Sequence, residues 1–221
     1  IARVFLQQLS KQENLFLNLT YIESSSNPSI NEQIARNAYF EYLQNELGEI
    51  QFEGMPTDQE AGAIKVNLEN IFVPLKFQYD EKIVDDESVS YIERNTTIDG
   101  VLTRTSRAAI LAKPGGGKST LMRRIALAYA FPERRQKVED GLPNKNWFPV
   151  YIRCRDLGED VNKSILEIIE KTIYRAEISQ YKDSFCSLIE NTLQSGHLLL
   201  LIDGLDEISQ EKSRICFVSQ M

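Results

Sequence analysis

Histidine and cysteine are nearly missing from this chain, with one His and three Cys among 221 residues. Cys154, Cys186 and Cys216 are widely spaced and form no C-x-x-C pair. Neither a disulfide framework nor a zinc site is expected, and a reducing, cytoplasmic compartment is the simplest reading. Long apolar runs are missing too. The longest aliphatic run, Leu198 to Ile202, is far too short to cross a bilayer, and no secretory apolar region follows the N-terminus. No membrane partner is therefore expected. Basic charge is in deficit: 25 Lys and Arg against 32 Asp and Glu give a net charge of −7. That balance carries no nucleic-acid signature over the whole surface, although it leaves room for a local basic patch. What is present suits a globular protein. Hydrophobic residues make up 42% and charged residues 26%, enough for a substantial core in one or two domains. The chain begins at Ile1 and stops at Met221 without a tail, so it is expected to be a piece of something longer.

The most specific signal is Ala112-Lys113-Pro114-Gly115-Gly116-Gly117-Lys118-Ser119-Thr120. It follows a short apolar stretch, Ala108 to Leu111, and precedes a helical pattern from Leu121 to Ala130. Glycines let successive backbone N–H groups curl around phosphate oxygens with no Cβ in the way. The loop then delivers the phosphates to a helix N-terminus, whose free N–H groups and dipole favour negative charge. Lys113 to Thr120 are thus the expected nucleotide-binding residues. Lys118 reaches the terminal phosphates and the Ser119 hydroxyl ligates Mg²⁺. One position departs from the full pattern: Ala112 stands where a glycine is usual. It is tolerated only if the backbone there keeps an ordinary φ.

The rest of the chain alternates strands with helices. Residues 1–30 give no clear reading beyond a turn at Glu23–Pro28. A helix should open at Asn31, with Ile34, Ala38, Tyr42, Leu43 and Leu47 on its apolar face and Gly48 as its stop. Alternation from Val66 to Phe77 reads as a strand, which Pro74 confines to an edge or turns into an extended connector. Acid-rich Asp80–Glu87 reads as a solvated linker. Residues 31–90 therefore form a helix plus connector, and the nucleotide-binding part occupies 91–221. Within it, Pro149–Cys154 reads as a strand, and Asn162 caps a helix with Ile165, Ile168, Ile169, Thr172 and Ile173 on one side. Phe185, Leu188, Ile189, Thr192 and Leu193 mark another helix, closed by Gly196. Leu198–Ile202 is a continuous aliphatic strand expected to be buried on both faces. Together these elements predict an α/β three-layer sandwich around a parallel sheet, incomplete in this chain and preceded by a small, mainly helical segment.

The last strand ends in Asp203-Gly204-Leu205-Asp206-Glu207. An acid at the carboxyl end of a buried strand beside a phosphate loop holds Mg²⁺, here opposite Ser119. Asp206 and Glu207 lie just beyond, where a carboxylate orients or deprotonates an attacking water. Arg153 and Arg155, at the end of the preceding strand, either face a nucleotide or anchor the strand end. His197 reads as a surface residue.

The chain resembles the NACHT family of STAND signal-transducing P-loop NTPases, in its bacterial form. The resemblance rests on Lys113–Thr120, on Phe148–Leu157 and on Leu198–Ile208, and more weakly on Ile71–Lys76 upstream. It implies binding of ATP in preference to GTP, with ADP held at rest, and a slow regulatory hydrolysis. It carries Lys118 over to the phosphates, Ser119 and Asp203 to Mg²⁺, Asp206 and Glu207 to the attacking water, and Thr120 to support of the loop. It also implies self-association on activation, an unidentified trigger ligand and effector, and a role in defence against phage. Such sheets place a further strand between the one bearing the phosphate loop and the one bearing the Mg²⁺ acid. That strand is expected beyond Met221, so the fragment alone should turn over poorly. Two other functions stay open on the residues: a P-loop phosphotransferase acting on a small molecule, and a scaffold that binds nucleotide without hydrolysing it.

Overall fold

The computed structural model describes residues 2–5, 29–52, 64–85 and 88–220. The chain opens with β1 (Ala2–Phe5), α1 (Ile30–Leu47), β2 (Glu49–Phe52), β3 (Ile64–Asn67) and a single turn, α2 (Leu68–Ile71). β4 (Phe77–Asp85), β5 (Ser88–Thr96), α3 (Ile98–Arg104), β6 (Ala109–Leu111), α4 (Lys118–Ala130) and α5 (Pro132–Arg135) follow. The remainder is β7 (Phe148–Arg153), α6 (Ile165–Arg175), α7 (Lys182–Gln194), β8 (Leu198–Asp203) and α8 (Glu211–Ser219). The turn expected at Glu23–Pro28 lies outside the described residues.

The α1 helix starts where Ser29 and Glu32 exchange hydrogen bonds, the Ser29 hydroxyl accepting from the Glu32 N–H and the Glu32 carboxylate from the Ser29 N–H. This reciprocal cap satisfies two N–H groups that an opening helix leaves free. The buried face carries Ala35, Tyr39, Phe40, Leu43 and Leu47, turned by about one residue from the expected stripe. Ile34 is 41% exposed. The aromatic pair decides the rotation, because Tyr39 stacks on Phe148 at 5.6 Å and meets Phe185 edge-on at 5.1 Å. Two large rings bury more apolar area than Ile34 offers.

The strand expected over 66–77 is broken. β3 ends at Asn67, α2 intervenes, and residues 72–76 form a connector without regular structure, as Pro74 requires. Residues 80–85 of the expected solvated linker are instead strand, since β4 and β5 pair antiparallel from Phe77↔Thr96 to Asp85↔Ser88; Asp86 and Glu87 lie outside the described residues. A ladder of backbone hydrogen bonds between two nine-residue strands does not need apolar side chains. The α6 cap also moves. Ser164, not Asn162, accepts the Glu167 N–H and completes a capping box with the Glu167 carboxylate.

Two sheets frame the site. One has strand order β5-β4-β1-β6, with β6 antiparallel to β1; the other is the parallel pair β7-β8, in register from Phe148↔Leu198 to Arg153↔Asp203. Helix α4 packs on both strands of the parallel pair. β7 is buried almost throughout, but β8 is not. Only Leu201 and Asp203 are buried there, and Leu198–Leu200 and Ile202 are half-buried. Each strand of this pair has a strand partner on one side only among the described residues; β7 is the better covered because the rings of Tyr39 and Phe40 from α1 stack on its Phe148.

Two buried arginines tie the helices together. Arg124 of α4 is fully buried and donates to Asp140 at 2.8 Å and to the carbonyls of Arg134 and Arg135. Arg134 of α5 grips Glu69 of α2 through two hydrogen bonds of 2.7 and 2.6 Å and also reaches Gln44 and the Gly48 carbonyl at the end of α1. Each buried cation is thus paired and hydrogen-bonded, without which its burial would be prohibitive.

Candidate functional site

Strand β6 hands the chain to the loop 112–117, and α4 begins at Lys118. The three glycines serve two different needs. Gly115 and Gly117 adopt left-handed backbone, at φ +75° and +81°, which favours glycine. Gly116 is there for space: a Cβ on it would lie 2.9 Å from the Ala112 Cβ and 2.9 Å from the Lys113 carbonyl oxygen. Among the described residues only Glu177 combines a side chain with a positive φ, so Ala112 keeps ordinary backbone, as its tolerance requires. Leu75 of the connector leans over the loop, its methyl carbons 3.6 and 3.7 Å from where a Gly117 Cβ would stand.

The Lys118 ammonium donates to the Ala112 carbonyl at 2.8 Å. Lys113, Pro114, Gly115 and Gly116 are exposed, and Thr120 is half-buried. The first turn of α4 contains no acidic side chain, so its free N–H groups face no competing anion from their own helix.

The decisive contact crosses the sequence. The Ser119 hydroxyl donates to Asp203 Oδ1 at 2.9 Å, which joins the phosphate loop to the end of β8. Asp203 is buried, and its second oxygen accepts a hydrogen bond from the Tyr151 hydroxyl at 2.8 Å. Motif reading did not single out Tyr151. A signal was available: a phenol in a buried parallel strand needs a partner for its hydroxyl, and period two puts it on the same face as Arg153. Burial, reinforced by the Asp203 charge and the hydrogen bond to it, pushes the Tyr151 phenol up to about 12. It therefore keeps its proton at neutral pH.

Gly204, at φ +76°, turns the chain out of β8 into a short turn spanning Leu205–Glu207. A Cβ at Gly204 would meet the Glu207 carboxyl carbon at 2.9 Å, so the Glu207 carboxylate lies folded over this glycine. Asp206 and Glu207 are both exposed. The charges of all three acids act on the buried thiol of Cys154. Its pKa is pushed up to about 12 by burial first, then by Asp203, Glu207 and Asp206. The carboxylates thus gather at the carboxyl ends of β7 and β8. Of the two arginines there, Arg153 pairs with Glu46 of α1 and with Asp156, each at 3.7 Å, and it anchors the strand end. Arg155 is exposed beside Asp156. His197 is exposed, and its carbonyl accepts from the Phe148 N–H.

One carboxylate and one hydroxyl within 2.9 Å are hard oxygen donors suited to Mg²⁺, which takes few protein ligands and completes its shell with phosphate oxygens and water. Among the described residues no three His, Cys, Asp or Glu side chains come together to form an all-protein metal cage. The donor set therefore fits a cation that arrives with a nucleotide.

The family model of the NACHT domain matches residues 106–218, which include the phosphate loop and the acids at the end of β8. No curated protein and no solved structure matches the chain.

Proposed function

The chain belongs to the family of NACHT-domain nucleoside triphosphatases, with an incomplete α/β P-loop NTPase fold, and from that premise we propose that it is a Mg²⁺-dependent ATPase working as a signalling switch. The observation that carries the reading is the Ser119–Asp203 hydrogen bond. It joins the loop to the end of β8 across the fold, and this supports reading the two as halves of one phosphate-and-metal site. In this reading the loop amides from Gly115 to Lys118 cradle the phosphates, and Lys118 leaves the Ala112 carbonyl for the β- and γ-phosphates. Ser119 and Asp203 hold Mg²⁺, which supplies charge neutralisation at the phosphates. Glu207, assisted by Asp206, orients the attacking water and takes its proton. ATP is preferred to GTP, ADP is the resting ligand, and exchange for ATP drives self-association in cytoplasmic anti-phage signalling.

Two experiments test this. Denaturing purified protein and separating the released nucleotides should yield ADP; release of a guanine nucleotide would overturn the ATP assignment. Lys118→Ala should abolish nucleotide retention. Glu207→Gln should keep it and slow turnover by roughly 10²-fold or more, the usual loss of a general base. Unchanged turnover in Glu207→Gln would show that Glu207 is not the group that activates the water, whereas nucleotide retention without any turnover in the parent chain would leave a nucleotide-binding scaffold.

A further inference from the structure

Asp203 is held from two sides, and only one of them belongs to the phosphate loop. Tyr151 sits on β7, diagonal to Asp203 in the parallel register, since Tyr151 pairs with Leu201 and Arg153 with Asp203. Side chains two residues apart along a strand share a face, so the phenol and the carboxylate emerge on the same side of the sheet. The residue directly opposite Asp203 is Arg153, whose guanidinium is engaged by Glu46 and Asp156. The Tyr151 hydroxyl makes the lateral contact instead, at 2.8 Å to Oδ2. Tyr151 is itself fixed. Its backbone N–H donates to the Tyr39 hydroxyl of α1 at 3.3 Å, and the Arg153 guanidinium carbon lies 5.9 Å from its ring centre. The side chain is buried and has little freedom to turn away.

We propose that Tyr151 is a positioning residue for the metal carboxylate: its O–H saturates Asp203 Oδ2 and fixes the carboxylate plane, so that Oδ1 alone is presented to the Ser119 side. The inference rests on the nucleotide-and-Mg²⁺ reading above. A carboxylate free to rotate would alternate between presenting one oxygen and both, and would lose time in geometries that a strictly octahedral ion rejects. Hydrogen-bond partners that orient a metal ligand matter nearly as much as the ligand, and their loss commonly weakens metal binding 10–100-fold. Tyr151 does this without a charge of its own, so it fixes direction without competing with the cation for the carboxylate.

The test is a Mg²⁺ titration of the full chain and its Tyr151→Phe variant, each saturated with ADP, with GDP in parallel, and followed by melting temperature. Each point reports on the folded protein directly, so a lower baseline stability does not hide the midpoint. Without metal, in EDTA, the variant should bind nucleotide as the parent does, within about twofold, because the phosphate loop is untouched. With metal, the Mg²⁺ concentration at half-maximal stabilisation should rise about tenfold. An unchanged midpoint together with a lowered baseline would reduce Tyr151 to a buried structural phenol and overturn the proposal. A variant with no melting transition at any Mg²⁺ concentration would do the same. If the parent chain shows no Mg²⁺ dependence with either nucleotide, the underlying reading fails and this inference falls with it; Mg²⁺ dependence in the parent with none of the expected shift in the variant removes the inference alone.

Discussion

Ala112 and Gly116 share the space of one methyl group inside the phosphate loop. The Ala112 Cβ occupies the volume into which a side chain at 116 would have to point, 2.9 Å from that ideal position. Alanine is accepted at 112 because its backbone is ordinary and because glycine follows four residues later. Restoring the usual glycine with Ala112→Gly should leave nucleotide affinity within about twofold and lower stability by roughly 0.5–1 kcal/mol through extra unfolded-state freedom. Gly116→Ala should weaken binding severely, since the Lys113 carbonyl blocks the new methyl as firmly as Ala112 does. Nucleotide titration and thermal melts of the two variants check both statements. A second glycine separates binding from turnover. Gly204→Ala would force a left-handed backbone on a residue with a side chain and push the Glu207 carboxylate off its seat. Nucleotide retention should survive, and turnover should fall toward that of Glu207→Gln; full turnover would show that the observed seat of Glu207 is irrelevant to the reaction.

At the scale of elements, one arginine holds three helices in place. Arg134 joins α5 to Glu69 of α2 and to Gln44 and Gly48 at the end of α1. Removing it leaves the buried Glu69 carboxylate without its partner, so Arg134→Ala should cost about 3–5 kcal/mol, measured by chemical denaturation. The same pair sets an acid limit. Burial alone would raise the Glu69 carboxyl, but hydrogen bonds from Arg134 and from its own backbone, with the Arg134 and Arg124 charges, hold it below its ordinary 4.5. A carboxyl lowered by folding adds stability that is complete above its unfolded value and lost as pH falls through the folded one. The melting-temperature gap between the parent chain and Glu69→Gln should therefore be widest near neutrality and close below pH 4.5. None of this was legible in sequence. Arg134 and Glu69 lie 65 residues apart, and a pair formed only by tertiary packing leaves no local pattern. The phosphate loop, β7, β8 and the apolar faces of α6 and α7 were legible, because each is set by local spacing. The β4–β5 pairing was not: the acid-rich run from Asp80 reads as solvent-loving, and the ladder that pairs the strands is made by the backbone. Asp203 could be singled out from its motif, while its partner Tyr151 carried only the weaker signal of a phenol in a buried strand that needs a hydrogen-bond partner.

For the whole molecule, the question is where the nucleotide domain begins. The family match starts at residue 106, yet the core it covers is closed by a helix ending 59 residues earlier, at Leu47. Tyr39 and Phe40 of that helix stack on Phe148 at 5.6 and 5.4 Å, and Phe40 meets Phe131 at 5.9 Å. Phe148 opens β7 and Phe131 follows α4, so α1 covers both β7 and the phosphate-loop helix. Removing it would bare an aromatic cluster, where losing even one large ring typically costs about 3–5 kcal/mol. It would also unpair the Tyr151 N–H, strip Glu46 from Arg153 and release the Arg134 network. Losses of that size exceed the roughly 5–15 kcal/mol by which a domain is stable at all. A polypeptide limited to residues 106–218 should accordingly show no cooperative melting transition and retain no nucleotide, whereas one reaching back through α1 to Ser29 should melt cooperatively. Cooperative unfolding of the short fragment by calorimetry would mean that α1 is an accessory cover, and that the aromatic contacts across it contribute little to the fold that carries the site.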